Sequence, residues 1–252
     1  MKRSLGIVVP AYEPDVDRLV RYLGALEDEL APETIRIELD AADEATKAAL
    51  ASTAATVNAV QGRRGKGAAI TDGFDALETD VLAFADADGS TPATSIGDVV
   101  APVLDGRAAM AVGSRRHPEA TVRSHQTILR QHLGDVFAWL ARRFLAVELR
   151  DYQCGAKAID RAAWESLREH VTETGFAWDV EVIGLAGALG HSIVEVPVIW
   201  EDHPDSTVST TRAVPDLFQA LFSVRRRSRR LGKQQVSAAD GHPVDGLAER
   251  DR

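Results

Sequence analysis

Short, almost wholly apolar runs recur along the first 114 residues, separated by stretches with helical periodicity. Few folds accept that alternation. Leu5-Gly6-Ile7-Val8-Val9, Thr34 to Leu39, Ala55 to Val60, Val81 to Ala85 and Ala108 to Val112 read as strands, with Pro10 expected to stop the first. Residues 16–30, Asp43 to Ser52, Gly67 to about Leu77 and Pro92 to Leu104 read as helices, and Leu19, Val20, Leu23 and Leu26 share one face of the first. Apolar strands alternating with helices predict an α/β domain on a mostly parallel, Rossmann-like sheet with helices on both faces. In such sheets ligands lie outside the carboxyl ends of the strands. The loops at 10–15, 40–43, 61–67 and 86–91 are therefore expected along one edge.

The second half is patterned differently. Residues 126–146 form a long helix with Leu133, Val136, Phe137, Leu140, Ala141, Phe144 and Leu145 at helical spacing. A strand near Ala156–Ile159, helices near 161–170 and 178–189, and a strand from Ile193 to Val198 follow. Val214, Leu217, Phe218, Leu221 and Phe222 share a helical face just before an arginine run. The chain divides into a main domain over 1–212, a basic amphipathic helix over 213–233, and a polar tail over 234–252 without apolar periodicity, read as disordered.

Charge narrows the partners. With 29 basic against 38 acidic residues the chain carries −9, which argues against bulk attraction to nucleic acid. Residues 225–233 hold six positives and no acid, leaving the rest at −15; such asymmetry suggests an attached basic surface element. Only five of the 29 basic residues are lysine, and acid excess with little lysine fits a salty, halophilic cytoplasm. One cysteine makes no internal disulfide. No apolar run approaches the roughly 20 residues of a membrane span, and the run from Leu5 to Val9 is too brief for a signal-peptide core. A soluble intracellular protein is the expectation.

Val81 to Ala85 delivers Asp86 and Asp88 to the ligand edge. Two adjacent carboxylates there ask for a divalent metal with oxygen ligands, often shared with phosphates. The other reading is an acidic turn before the next helix, with Ser90 or Thr91 as N-cap. Gly62-Arg63-Arg64-Gly65-Lys66-Gly67 precedes a helix, where close backbone approach and Lys66 suit an anion, although the stretch also reads as a plain glycine-rich turn. Arg115, Arg123 and Arg130 follow the last parallel strand; they fit a phosphate clamp or a solvated arginine surface. Cys154 reads as a buried structural thiol, Asp179 and Glu181 as helix N-terminal acids, and the seven histidines show no zinc spacing.

Taken in order, Val9-Pro10-Ala11-Tyr12, Gly65-Lys66-Gly67-Ala68-Ala69, Asp86-Ala87-Asp88, Gly113-Ser114-Arg115, Asp151-Tyr152-Gln153-Cys154-Gly155-Ala156-Lys157, Phe176-Ala177-Trp178-Asp179-Val180-Glu181 and Glu195-Val196-Pro197-Val198-Ile199-Trp200 resemble family 2 glycosyltransferases. The branch they resemble is that of the dolichyl-phosphate glucosyl- and mannosyltransferases, over roughly residues 5–210. The resemblance implies the GT-A fold and inverting transfer of a hexose, from a nucleotide-sugar of the UDP-glucose type, to dolichyl or polyprenyl phosphate, feeding glycan assembly. It implies that Pro10, Ala11, Tyr12 and Glu13 border the nucleotide, that Asp40 faces the base or ribose, and that Lys66 and Ala87 belong to the same site. Asp86 and Asp88 would bind Mg2+ or Mn2+, with Ser90 in support. Arg115 and Arg130 would receive the acceptor phosphate, and Asp151, Asp179 and Glu181 would line the sugar site.

Two places depart from the family pattern: Glu13-Pro14 stands for Asn-Glu, and Asp40-Ala41-Ala42-Asp43 for Asp-Asp-Gly-Ser. Two alternatives stay open. One is transfer to a lipid-linked glycan hydroxyl, with Asp151, Asp179 or Glu181 as base; the other is a catalytically silent GT-A scaffold that binds a nucleotide. The basic 213–233 segment is expected to hold the protein at the inner face of the cell membrane, cytoplasmic and peripheral.

Overall fold

The computed structural model of the chain describes residues 2–123, 139–145, 147–201, 221–227 and 231. Its strands are β1 (Leu5–Tyr12), β2 (Thr34–Asp40), β3 (Thr56–Val60), β4 (Val81–Ala85), β5 (Met110–Ser114), β6 (Thr121–Arg123), β7 (Ala156–Asp160), β8 (Ile193–Pro197) and β9 (Ile199–Glu201). Its helices are α1 (Val16–Leu30), α2 (Glu44–Ala51), α3 (Lys66–Ala76), α4 (Ala93–Leu104), α5 (Arg161–Leu167) and α6 (Trp178–Ala188), with a 3-10 turn at Arg168–His170. Residues 139–144 and 221–227 are also helical.

Seven strands make one sheet in the order β3-β2-β1-β4-β7-β5-β8, and β6 pairs with β9 apart from it. The sheet is parallel except at β7, which runs antiparallel to both β4 and β5. Alternation along the strands divides the apolar side chains between two faces. Ile7, Val9, Val81 and Ala83 pack with α1 and α4, while Val8, Leu82 and Phe84 pack with α3, α5 and α6. Fully burying a Val, Leu, Ile or Phe side chain stabilises by about 1.5–3 kcal/mol. This two-sided burial therefore outweighs helix propensity in holding the layers.

β1 runs three residues past its expected end, through Pro10 to Tyr12. The reason is which way Pro10 faces. Leu5 O accepts from Glu33 N on the β2 side and Ser4 O from Val81 N on the β4 side. Alternation then turns the Pro10 nitrogen toward β4. The β1–β4 ladder ends at Val8 and Phe84, so the missing N–H removes no ladder bond.

Asp15 and Asp43 cap α1 and α2, accepting from Arg18 N and Thr46 N. Neither Ser90 nor Thr91 caps α4. Pro92 takes that position, and Ser90 N donates instead to Asp88 Oδ1 at 2.9 Å. The calls on Leu133, Val136, Phe137, Arg130, residues 214–220 and the 234–252 tail lie outside the described residues. Of the two apolar helical stripes, Ala141, Leu145 and Leu221 are buried in the core, as is the neighbouring Val224, whereas Phe222 is 57% exposed and Trp139, outside the stripes, 59%.

Candidate active site

The carboxyl ends of β1, β2 and β4 and the start of α3 enclose a cavity of about 450 Å³. Pro10, Ala11, Tyr12, Glu13, Asp40, Arg63, Gly65, Lys66, Asp86, Ala87, Asp88 and Phe176 are among its lining residues, so the four expected loops do meet at one edge.

The walls are set locally. Tyr12, the last residue of β1, carries the Arg63 guanidinium over its ring at 4.0 Å. Asp40 ends β2 and turns back on its own neighbourhood: Oδ2 accepts from Arg64 N (2.7 Å) and Gly65 N (3.1 Å), and Oδ1 from Arg64 Nε (2.8 Å). It therefore ties the glycine-rich loop to the sheet. Gly65 has φ 101°, and a Cβ there would sit 2.4 Å from Thr174 O. Only glycine fits this turn, and α3 begins after it with no side-chain cap. Two non-glycine residues at the same edge, Glu13 (φ 47°) and Ala41 (φ 52°), sit in the left-handed region. Each carries roughly 1–3 kcal/mol of backbone strain, of the kind concentrated at functional sites.

At the floor, Asp86 and Asp88 emerge from β4. Asp86 N donates to Gly155 O at 3.1 Å, and Gly89 N to Asp86 O at 3.3 Å. Burial, and next the Asp86 carboxylate, push Asp88 above the ordinary carboxylate value. A like-charged pair of hard oxygen donors at a strand end fits Mg2+ or Mn2+. No group of three or more potential ligands is found among the described residues, so such an ion would draw further ligands from substrate and water. Ser90 is buried behind the turn and is not a lining residue.

A chain of alternating charges runs inward from Asp86. Lys66 Nζ lies 2.8 Å from Asp86 Oδ1 and 3.5 Å from Asp179 Oδ2, and Lys157 Nζ lies 2.5 Å from Asp179 Oδ1. Burial lowers the Lys66 pKa, but Asp179 and Asp86 more than offset that and hold it above the usual lysine value. Both ammonium groups lie 5.1–5.4 Å from the Phe84 ring. Asp179 is thus one layer behind the cavity and reaches it through Lys66.

Of the remaining candidates among the described residues, Arg115, Asp151 and Glu181 do not line the cavity. Asp151 is buried and takes Arg115 as a fork, Nε to Oδ2 at 2.7 Å and Nη2 to Oδ1 at 2.9 Å, with Arg115 Cζ 5.7 Å from the Trp200 ring. Glu181 faces residues 172–173. Burial pushes the Cys154 thiol up to about 11, which keeps it an inert thiol. Arg63, Phe176 and Lys157 stand within the motifs quoted above, but the sequence assigns them no role at the site. A lysine inside the apolar strand Ala156–Ile159 was the available signal for the last.

The Asp151–Arg115 pair makes a pH prediction. Burial raises the Asp151 pKa, but Arg115 overrides it and holds the carboxyl far below the usual range. A depressed folded-state pKa gives stability that is present above the unfolded value of about 3.9 and lost as pH falls through the folded value. Asp151→Asn is expected to cost about 3 kcal/mol at pH 7. The gap between the acid unfolding curves of the two proteins should begin to narrow below about pH 3.9 and close only below the depressed folded-state value, and a constant gap at all pH values would refute the assignment.

Residues 7–168 match Glycosyl transferase family 2. Glycosyltransferase AglD of Haloferax volcanii is 34% identical over 155 residues, which cover 60% of this chain and 24% of that protein. The dolichyl-phosphate β-glucosyltransferase of Mus musculus is 27% identical over 220 residues, 79% of this chain and 68% of that one. The chain thus spans about a quarter of the first relative and two thirds of the second. In structure it is similar to glucosyl-3-phosphoglycerate synthase of Mycobacterium tuberculosis, solved with Mn2+, UDP and glucosyl-3-phosphoglycerate. The TM-score is 0.69 at 15% identity, covering 88% of this chain and 80% of that one, which establishes the shared GT-A fold. Fold, strand-end carboxylates and sequence agree: the chain belongs to glycosyl transferase family 2.

Proposed function

We propose that the protein is an inverting hexosyltransferase that moves a sugar from a nucleotide-sugar, UDP-glucose in kind, to dolichyl or polyprenyl phosphate at the inner face of the cell membrane. The observation that carries this reading is the meeting of Asp86, Asp88 and Lys66 in one cleft beneath the Tyr12–Arg63 stack. The relatives support it: one is named a dolichyl-phosphate β-glucosyltransferase, and the structural neighbour was solved with UDP.

In this reading Asp86 and Asp88 are the residues that would hold Mg2+ or Mn2+, and the ion would supply Lewis-acid stabilisation of the departing diphosphate. Lys66 stays cationic, fixes the Asp86 carboxylate and adds positive charge beside the diphosphate. Tyr12 and Arg63 offer a flat wall to the base. The acceptor phosphate is already anionic at neutral pH and needs little help from a base. Bringing two anions together is the harder task, and positioned cations address it. Arg115, pre-oriented by Asp151, and Arg130 are the residues assigned to the acceptor phosphate. A hydroxyl acceptor would require a free base, and Asp151, Asp179 and Glu181 are each engaged by a cation. That favours the phosphate acceptor.

No helix among the described residues is long and apolar enough to cross a membrane. In this reading attachment falls to the arginine-rich C-terminal segment. Exposed Phe222 and Trp139 would enter the headgroup zone beside exposed Arg142, Arg143 and Arg226. One experiment tests all of this. The protein is mixed with Mn2+, a panel of radiolabelled UDP- and GDP-sugars, and anionic vesicles carrying polyprenyl phosphate. Label entering the organic phase from a UDP-hexose, with the protein pelleting alongside the vesicles, is the expected result. A folded protein that transfers from no donor would sink the reading.

A further inference from the structure

Glu181 lies on α6, fully buried, with four groups on its carboxylate. Oε2 accepts from Thr172 N (3.0 Å) and Glu173 N (2.7 Å), and Oε1 from Thr172 Oγ1 (3.0 Å) and Arg227 Nη2 (2.5 Å). Arg227 comes from the helical stretch 221–227 and also donates to His170 O at 3.2 Å and to Thr172 Oγ1. That stretch is anchored on α6 by close contact: a Cβ at Gly184 would meet Val224 Cγ1 at 2.6 Å.

The segment gripped by Glu181 is the one that backs the nucleotide loop. Thr174 O accepts from Ala68 N at 3.1 Å. Cβ atoms at Gly65 and Gly67 would fall 2.4 Å from Thr174 O and 2.7 Å from Glu173 O. Two residues on, Phe176 lines the cavity with Gly65 and Lys66. A continuous path of packed backbone thus joins Arg227 to the donor cleft.

We propose that the Arg227–Glu181 pair is a positioning device for the donor site, so that the grip on a nucleoside diphosphate depends on the basic C-terminal segment. The inference rests on the cleft being the nucleotide-sugar site. Without Arg227, Glu181 keeps three neutral donors and, among the described residues, no ion-pair partner. A buried carboxylate in that state is strongly unfavourable, and relief comes by moving outward with Thr172 and Glu173. Those residues cannot shift without disturbing Gly65 and Gly67.

The test uses the full chain, free of lipid, titrated with UDP and Mn2+ by calorimetry. Arg227→Ala is expected to weaken UDP binding about tenfold, within the range of measured couplings between contacting residues. Arg227→Lys should recover most of the loss. The double variant Arg227→Ala/Glu181→Gln should bind better than Arg227→Ala alone, because the uncompensated charge is gone. In turnover assays the donor KM rises while the acceptor KM stays. If Arg227→Ala does not fold, Arg227→Gln takes its place. Unchanged UDP affinity in the folded variant, or strictly additive losses in the double variant, overturns the inference. Wild-type protein that binds neither UDP nor GDP overturns the functional reading instead, and this inference with it.

Discussion

Asp88→Ala should lower sugar transfer by about 10²–10³-fold at saturating donor, the loss seen when one preorganised charge-stabilising group is removed from an active site. It should do so without loss of stability. Asp88 sits in a turn and is held above its ordinary pKa by burial and by Asp86, so the folded state bears a repulsion that the substitution relieves. A thermal midpoint equal to or above wild type, together with collapsed turnover, is the signature of a site that trades stability for activity. Wild-type turnover in this variant would mean that the strand-end pair takes no part in the reaction.

Gly155→Ala should be comparably damaging, for a steric reason. The added Cβ would lie 1.8 Å from Asp86 Oδ2 and 2.2 Å from its Cγ, so the Asp86 side chain cannot keep its present position. Asp86 must leave, and its 2.8 Å contact with Lys66 goes with it. Turnover is expected to fall to the level of Asp86→Ala, with overpacking costing about 1–3 kcal/mol of stability. Gly24→Ala is the control. A Cβ there meets nothing within 4 Å on the exposed face of α1, and the change should stabilise by about 0.5–1 kcal/mol with activity intact. If Gly155→Ala retains activity, Asp86 does not need the position described.

Most of the sheet was legible because its strands are buried on both faces and so read as apolar runs. Val81–Ala85 and α1 are found at the residues expected. The small β6–β9 sheet was not legible: Thr121–Arg123 is exposed throughout and carries no burial pattern. Pro10 misled because a proline is judged from sequence without knowing which neighbour its nitrogen faces. At the cleft, the loops were placed by the strand-end rule, and Lys66 and Asp86 by motif. The tasks of Glu181 and Arg227 were hidden for another reason. Their meaning lies in contacts across 46 residues of sequence, and neither residue type signals by itself which partner it will take.

The antiparallel β7 has a consequence for the order of events on the ribosome. It fills the gap between β4 and β5, both of which are synthesised well before it. At about 5–20 residues per second, the stretch from Ala85 to Ala156 takes roughly 4–15 s to emerge. During that interval β4 and β5 present unpaired edges, the kind of surface that invites pairing with another nascent chain. Arrival of β7 closes both edges at once. It also brings Gly155 against Asp86, so the floor of the cleft is completed by the same event that joins β4 to β5, before β8 adds to the far edge of β5.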